Sequence, residues 1–280
     1  MIAIILSLLA CSEVRETPSD ASEWFTEGED LDVREPVAFT DQPYDFPSAD
    51  ADGLGSLIDA LFPTEDRTNV FAQGDDFGVS NGAVGQDCES EITPELPREF
   101  DAVVTLHPRF YFKTEGCDAV SDEKYYGSYF IQDRTGGVFV LGDSKVAHFD
   151  VGDRVRIKVR GVRTAYGQDM IYAHDIVDVA RGERQPVFFE TVEGRRLGDE
   201  DMGRVKRIEG VVISEKDTFG EFTVQTDDGI EHSVSLDVEL NRRGLEYAVG
   251  TRVQVTAPVL FSFDLYSLVV MEIGQITVVD

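Results

Sequence analysis

The sequence predicts an all-β protein in which two tandem five-stranded barrels follow a largely unstructured acidic N-terminal segment. Three observations lead to this fold class. From residue 98 onward, apolar and polar residues alternate in short runs, which is the pattern of a strand with one buried face. The sequence Val-Gly-x-Arg-Val begins at Val151 and again at Val249, so the pattern is repeated within the chain. Acidic residues are concentrated before residue 100.

Length and charge limit the possible functions. The chain has 280 residues, and at roughly 150 residues per domain this length suits two domains. It carries 54 acidic side chains against 25 lysines and arginines, a net charge of −29. Such a charge repels phosphates, which excludes a protein that coats nucleic acid through a general cationic surface. Apolar residues make up 42% of the chain, enough for packed cores, so a wholly disordered chain is also excluded.

The N-terminus predicts the location of the protein. The apolar run from Met1 to Cys11 is shorter than the ~20 residues that a membrane-spanning helix needs. Its end, Leu8-Leu9-Ala10-Cys11, resembles the lipobox of bacterial lipoproteins. The resemblance implies a signal peptide over residues 1–10 and a lipid on Cys11 that anchors the protein to a membrane. The location is then the cell envelope, at the outer membrane or the periplasmic face. A buried helix or strand is the alternative.

The other two cysteines, Cys88 and Cys117, both lie in polar, loop-like surroundings. If Cys11 carries lipid, the remaining number is even and the compartment is oxidising, which favours a disulfide. We therefore predict a bridge between Cys88 and Cys117. Two unpaired, buried thiols are the alternative.

Residues 11–97 are predicted to form an acidic stalk or linker with one short helix. Residues 12–100 contain 23 acidic and 4 basic side chains and show no sustained period. The helix is predicted over residues 55–62, where Pro63 ends it. A few apolar side chains are candidates to dock the stalk onto the folded body: Trp24, Phe25, Phe39, Phe71 and Phe77.

The first barrel is predicted over residues 98–180 and the second over residues 204–280, with residues 181–203 as a linker. Each barrel contains five runs with strand composition, and a glycine-containing hairpin turn joins the second run to the third. The predicted strands are 101–106, 129–132, 137–141, 151–161 and 168–177, followed by 207–213, 221–226, 231–236, 249–255 and 265–271.

Five such strands, with Val-Gly-x-Arg-Val before the fourth, resemble a bacterial OB-fold barrel. The stretch from Gly127 to Val138 is similar to the second and third strands of OB domains in secreted and lipid-anchored bacterial proteins. The resemblance implies a ligand face on those two strands, where OB barrels commonly bind nucleic acid or sugar chains. An immunoglobulin-like sandwich is the alternative fold, although it usually has about seven strands per domain.

The fourth strand of the first barrel carries cations at alternate positions, which places them on one face. Two interpretations are open. The face is either solvated and neutralised by acidic neighbours such as Asp175 or Glu183, or it binds an anionic ligand with tyrosines as stacking platforms. The candidate ligand-binding residues are Arg154, Arg156, Lys158, Arg160, Arg163, Tyr126 and Tyr129, with Tyr125 beside them. A third hypothesis is self-masking by the carboxylates of Asp75, Asp76, Asp87, Glu89 and Glu91, which the predicted disulfide would bring to this strand.

No motif points to catalysis. The histidines fall in separate elements without metal-ligand spacing, and no nucleophile elbow or phosphate-binding loop is present in the sequence. We therefore predict a non-enzymatic binding or structural protein of the cell envelope, without a metal or cofactor, whose partner is a protein or a polysaccharide. The alternative is a lipoprotein that binds single-stranded DNA through the basic strand.

Overall fold

The computed structural model describes residues 37–46, 49–62, 96–115, 122–142, 150–165, 167–180, 184–262 and 265–279. Within these ranges, the side chains of residues 108–115, 122–126, 163–165, 239 and 273 are not described. Among the described residues, no helix is long and apolar enough to span a membrane. The elements in chain order are β1 (Phe39–Thr40), α1 (Gly53–Leu61), β2 (Arg98–Glu115), β3 (Asp122–Gln132), β4 (Gly137–Val140), β5 (Arg154–Ala165), β6 (Gln168–Ala180), β7 (Val187–Phe188), β8 (Glu190–Thr191), a 3-10 helix (Asp199–Asp201), β9 (Val205–Val212), β10 (Glu221–Thr226), β11 (Glu231–Leu236), α2 (Val238–Arg242), β12 (Arg252–Ser262), β13 (Leu265–Val270), a second 3-10 helix (Ile273–Gln275) and β14 (Ile276–Val278).

The two halves of the molecule have the same strand topology. The first barrel closes in the order β2-β3-β4-β6-β5, with β4 and β6 parallel and the other pairs antiparallel. The second closes in the order β9-β10-β11-β13-β12 through pairing of β12 with β9, and here β11 and β13 are the parallel pair. The predicted pair of five-stranded OB-type barrels is therefore confirmed.

The repeated Val-Gly-x-Arg-Val sequence forms the same turn before the fourth strand of each barrel. Gly152 and Gly250 have φ values of +88° and +93°, a conformation that residues with a Cβ rarely adopt. The amide of Gly152 donates to the carbonyl of Val104, and the amide of Gly250 donates to that of Val212. The turn therefore attaches the start of the fourth strand to the first strand in both barrels.

Alternating side chains build the two cores. On β5, Val155, Ile157 and Val159 are fully buried, whereas Arg156 and Lys158 between them face outward. The same alternation on β12 buries Val253 and Val255 in the second barrel. Each barrel thus has its own apolar interior, formed by the inward positions of its five strands.

Helix α1 packs against the first barrel. Its spacing places Leu54, Leu57 and Leu61 on one side, and all three are buried in the core of that barrel. The β3–β4 turn holds the start of the helix, because the carboxylate of Asp133 accepts a hydrogen bond from the amide of Leu54 at 2.8 Å. The hydroxyl of Thr135 accepts another from the amide of Gly55 at 2.9 Å.

Residues 37–46, which we call the strap, also pack on the body. β1 pairs in parallel with β7, and the amide of Phe188 donates to the hydroxyl of the buried Tyr44 at 3.0 Å. The described residues 37–46 and 49–62 are therefore packed rather than an extended stalk. The helix predicted over residues 55–62 is present as α1, and Phe39 packs on the body as expected for a docking residue.

The predicted linker, residues 181–203, likewise contains structure. β7, β8 and the first 3-10 helix lie within it, and Val187 and Phe189 are buried in a cluster with Val151 and Val205. This cluster joins residues of both barrels and the strap. The segment is therefore part of the packed body over its described residues, 184–203.

The two barrels contact each other through an apolar interface. Phe130, Phe139 and Met170 of the first barrel form one buried cluster with Leu260 and Val269 of the second. Buried glutamines add hydrogen bonds across the junction. Gln132 accepts from the amide of Val205 at 2.6 Å, and Gln168 accepts from that of Phe261 at 2.8 Å.

Glycines bring the two backbones together at the edge of this interface. A Cβ on Gly137 would lie 2.2 Å from the carbonyl oxygen of Gly203, and a Cβ on Gly203 would lie 2.2 Å from that of Gly137. Any side chain at either position would force the two segments apart. Gly203 also has a φ of +78°, which again requires glycine.

Candidate functional site

The basic strand β5 is neutralised by a buried carboxylate at its N-terminal half. Asp101 on β2 is 2% exposed and lies opposite Arg156 in the strand register. It accepts from Arg154 at 3.1 Å and from Arg156 at 3.0 Å, and the amide of Ala49 donates to it at 2.9 Å. The hydrogen bonds to Asp101 raise the pKa of Arg156. Two of the candidate ligand-binding arginines are therefore held by the protein itself.

The other half of the strand has acidic neighbours as well. Arg160 forms an ion pair with Asp175 at 3.0 Å, and both side chains are about half exposed. Lys158 lies between Glu99 and Asp175 in the register of the sheet. This arrangement agrees with a solvated face neutralised by cross-strand carboxylates. Glu183, the other expected neighbour, and the side chain of Arg163 lie outside the part of the chain that is described.

Tyr129 is not a stacking platform, because its ring is only 3% exposed and belongs to the core of the first barrel. Its hydroxyl lies 3.1 Å from Nε2 of His174. Burial lowers the pKa of His174 to about 4 and raises that of Tyr129. The prediction for Tyr129 is therefore wrong. The side chains of Tyr125 and Tyr126 are outside the described set.

The remaining predicted residues fall on segments that are not described. These are the lipidation site Cys11, the pair Cys88 and Cys117, and the carboxylates between residues 75 and 91. The lipid anchor, the disulfide and the self-masking contact stay predictions.

The face of β3 and β4, where the OB resemblance implies a ligand, is covered in the first barrel. Phe130 and Phe139 lie opposite each other on its outer side, with their ring centroids 5.0 Å apart. Both are fully buried against the second barrel. The second barrel therefore occupies the usual ligand position of the first.

The corresponding face of the second barrel is polar. Thr223 and Ser233 occupy the positions that match Phe130 and Phe139, and β10 and β11 contain no lysine or arginine. Two carboxylates, Glu221 and Glu231, flank these residues on the same strands. Burial and the nearby carboxylate of Asp217 raise the pKa of Glu221. This face lacks the cations that hold a polyanion.

A cleft of about 440 Å³ lies where α1, the β3–β4 turn, the start of β6 and the first 3-10 helix meet. We call this the junction cleft. Its apolar lining consists of Ile58, Phe62, Val138 and Met202, and its carboxylates are Asp59, Asp169, Asp199 and Glu200.

The junction cleft has one cation, Arg204, which donates to the carbonyl of Thr135 at 2.5 Å and lies 3.6 Å from Glu190. Asp199 accepts from the hydroxyl of Tyr266 at 2.6 Å, and Glu200 contacts Arg195 at 3.1 Å. Acidic residues therefore outnumber basic ones in the lining. Sequence reasoning missed this site because its residues come from the predicted stalk, the first barrel and the predicted linker, which no local pattern connects.

Among the described residues, no group of three or more histidine, cysteine, aspartate or glutamate side chains is arranged to hold a metal ion.

Comparisons with known proteins give limited similarity. No protein-family model matches the sequence, and no curated protein matches it. Among solved structures, the chain is similar to the tetrameric p202 HIN2, at 14% identity over 66% of this chain and 92% of that one, with a TM-score of 0.30. It is also similar to a replication protein A heterotrimer bound to single-stranded DNA, at 14% identity over 68% and 50%, with a TM-score of 0.29. A third is the single-stranded DNA binding protein from Thermus aquaticus, as a deletion mutant, at 11% identity over 63% and 93%, with a TM-score of 0.20.

Proposed function

We propose that this chain is a non-enzymatic binding protein, held in the cell envelope by a lipid on Cys11, whose junction cleft receives a positively charged segment of a partner protein. The observation that carries the proposal is the lining of the cleft, which includes four carboxylates and one arginine, with a second arginine, Arg195, beside Glu200. Clefts of this size between domains are common binding positions.

The other surfaces support the choice of the cleft. The outer face of β3 and β4 is covered by the second barrel, and Asp101 holds two arginines of β5. The outer face of β10 and β11 has no cation. Among the described residues, these three faces therefore offer a polyanion such as single-stranded DNA less favourable binding positions, because the first is covered, the arginines of the second share a carboxylate, and the strands of the third carry no lysine or arginine.

The chemistry of the cleft suits lysine or arginine side chains. Their charged ends would approach Asp59 and Glu200, while their aliphatic stems would lie on Ile58, Phe62 and Met202. The net charge of −29 attracts basic partners over long distances and increases the rate of encounter. A polysaccharide would need neither of these features.

The test uses fluorescein-labelled trilysine as a probe with the full chain. The double variant Asp59→Lys and Glu200→Lys reverses two cleft carboxylates, and we expect it to weaken binding about tenfold. The matched control, Glu231→Lys and Glu246→Lys, makes the same change of charge on exposed positions outside the cleft. We expect it to weaken binding only about twofold, since it changes the overall field alone.

Equal losses in both double variants would contradict a site in the cleft. Binding of a single-stranded oligonucleotide that decreases steeply with salt would favour the alternative function instead.

The anchor is tested separately by Cys11→Ser, which removes the thiol that the lipid would modify. We expect the wild type in the membrane fraction and the variant in the soluble fraction. Membrane association that is unchanged in Cys11→Ser would contradict the lipoprotein proposal without affecting the cleft.

A further inference from the structure

Arg207, on the outer side of β9, is held in a fixed position. The central carbon of its guanidinium lies 3.5 Å from the centroid of the Phe189 ring, so the cation stacks on an aromatic face. Its Nε donates to the hydroxyl of Thr256 at 2.8 Å, and Thr256 is buried on the neighbouring strand β12. One face and one donor of the guanidinium are therefore occupied by the protein.

Arg207 differs from the comparable arginines in having no carboxylate partner. Within the described ranges, every other arginine with a partly buried side chain has a carboxylate within 4.0 Å, and Arg207 has none. Asp41, in the strap, is near enough to act on its charge but forms no ion pair with it. Asp41 is exposed and accepts a hydrogen bond from the side-chain amide of Gln42.

The remaining donors of Arg207 form a planar edge. Four Nη–H groups have no acceptor among the described residues, and the contact with Phe189 and the bond to Thr256 restrict the guanidinium that carries them. A planar guanidinium edge of this kind donates two parallel hydrogen bonds to a carboxylate. Partial burial makes such a pair stronger than on an open surface.

We propose that Arg207 is a binding site for a carboxylate group of a partner polypeptide. A carboxylate matches the edge in shape and carries a single charge. A doubly charged phosphate would be repelled more strongly by Asp41 and by the net charge of the chain. This site is separate from the junction cleft, which Arg207 does not line.

The neighbouring strand indicates why the partner is a polypeptide. β8 pairs with β9 and lies at the edge of the seven-stranded sheet of the described residues, with the exposed Thr191 opposite Arg207 in the register. Sheet edges receive extended peptides through main-chain hydrogen bonds. A peptide beside β8 would lie two strand spacings, about 10 Å, from β9, so a carboxylate would reach Arg207 by extending over Thr191.

The experiment follows the Nε–Hε resonance of Arg207 in the isotope-labelled full chain. Two probes represent the two sources of a carboxylate. N-acetyl-glutamate with its α-carboxyl group converted to an amide represents a side chain, and N-acetyl-glycine represents a chain terminus. Sodium chloride and sodium phosphate, at the same ionic strength, are the comparison anions. We expect a saturable shift with one or both carboxylates, and the stronger of the two identifies the source.

The variant Arg207→Lys keeps the charge but removes the planar edge, and we expect it to bind the carboxylate probe about tenfold more weakly. Because this variant lacks the guanidinium resonance, binding is compared in both proteins through the backbone amide resonances of residues 207 and 191. Arg252→Lys is the matched control, since Arg252 of the same barrel is already paired with Glu209 and Asp227. It should leave the carboxylate shift at Arg207 unchanged. Thr256→Val retains the guanidinium and removes its Nε acceptor, so binding should weaken about threefold.

Three results would overturn the proposal: no saturable shift with either carboxylate, a shift that chloride reproduces, or phosphate binding at least as strong as that of the carboxylates. Unchanged binding in Arg207→Lys would overturn it as well. None of these results depends on trilysine binding, so failure here and failure of the junction cleft are distinguishable.

Discussion

The two barrels have the same strand order, but the outer face of the second and third strands is apolar in the first barrel and polar in the second. In the first barrel, Phe130 and Phe139 occupy paired outward positions on its second and third strands and are fully buried. In the second, Thr223 and Ser233 occupy the matching positions and are only half-buried. The topology is identical, so the residues on the outer side determine whether this face packs on protein or meets water.

The turn between the second and third strands also differs between the two barrels. The β3–β4 turn of the first barrel holds α1 through the buried Asp133. The corresponding β10–β11 turn of the second barrel contains Asp228, which is exposed and bonds mainly within its own turn. Among the described residues, the turn of the first barrel therefore packs against a helix, whereas the corresponding turn of the second is exposed.

The largest expected difference in stability is between substitutions on the outer faces of the two barrels. Phe130→Ala removes a fully buried ring from the contact between the barrels, and we expect it to lower the free energy of unfolding by about 4 kcal/mol. Thr223→Ala is the matched change on the open face, and it should cost only about 0.5 kcal/mol. Urea unfolding of both variants measures the two values. Similar losses would show that the outer faces do not differ in their contribution to stability.

The next difference concerns the turns. Asp133→Ala leaves the amides of Leu54 and Gly136 without their charged acceptor, and we expect a loss of about 3 kcal/mol in urea unfolding. Asp228→Ala should have little effect, because water replaces the lost contacts of an exposed turn. Comparable losses in the two variants would contradict the role of Asp133 in holding α1.

A smaller effect is expected from pH. Burial lowers the pKa of His174 to about 4, below its ordinary value of 6.5. Between these values the unfolded chain binds a proton that the folded chain does not, so stability decreases as the pH falls. From pH 7 to pH 5, this group should cost about 2 kcal/mol.

Replacing His174 with glutamine should reduce this slope in urea unfolding measured at several pH values. His232 of the second barrel also has a pKa lowered by burial, so His232→Gln provides the comparison. An unchanged slope in His174→Gln would indicate that His174 does not contribute to the pH dependence.

The barrels were predictable because the sequence features that specify their strands and turns lie in neighbouring residues. Alternation on β5, the hairpin turns and the two Val-Gly-x-Arg-Val sequences each depend on neighbouring residues. The contact between barrels also left a signal in the sequence. Tyr129-Phe130-Ile131 is continuously apolar, as expected for a strand buried on both faces, whereas Phe222-Thr223-Val224 alternates. Reading that difference would have predicted the covered face.

The junction cleft and the strap were not predictable from local pattern. Asp59, Asp169 and Glu200 come from three distant segments, and only tertiary packing places them around one cleft. Asp101 appears in the sequence as one carboxylate among many, and nothing local shows that it is buried between Arg154 and Arg156. Such pairings depend on strand register, which alternation alone does not determine.

The covered face also constrains how the two repeats can diverge over evolutionary time. A substitution at Phe139 disturbs Leu260 and Met271 of the other repeat, because all three share one apolar cluster. A change at Thr223 has no such counterpart across the junction. The second repeat can therefore acquire new surface chemistry through single mutations, whereas the first can change its outer face only together with its neighbour.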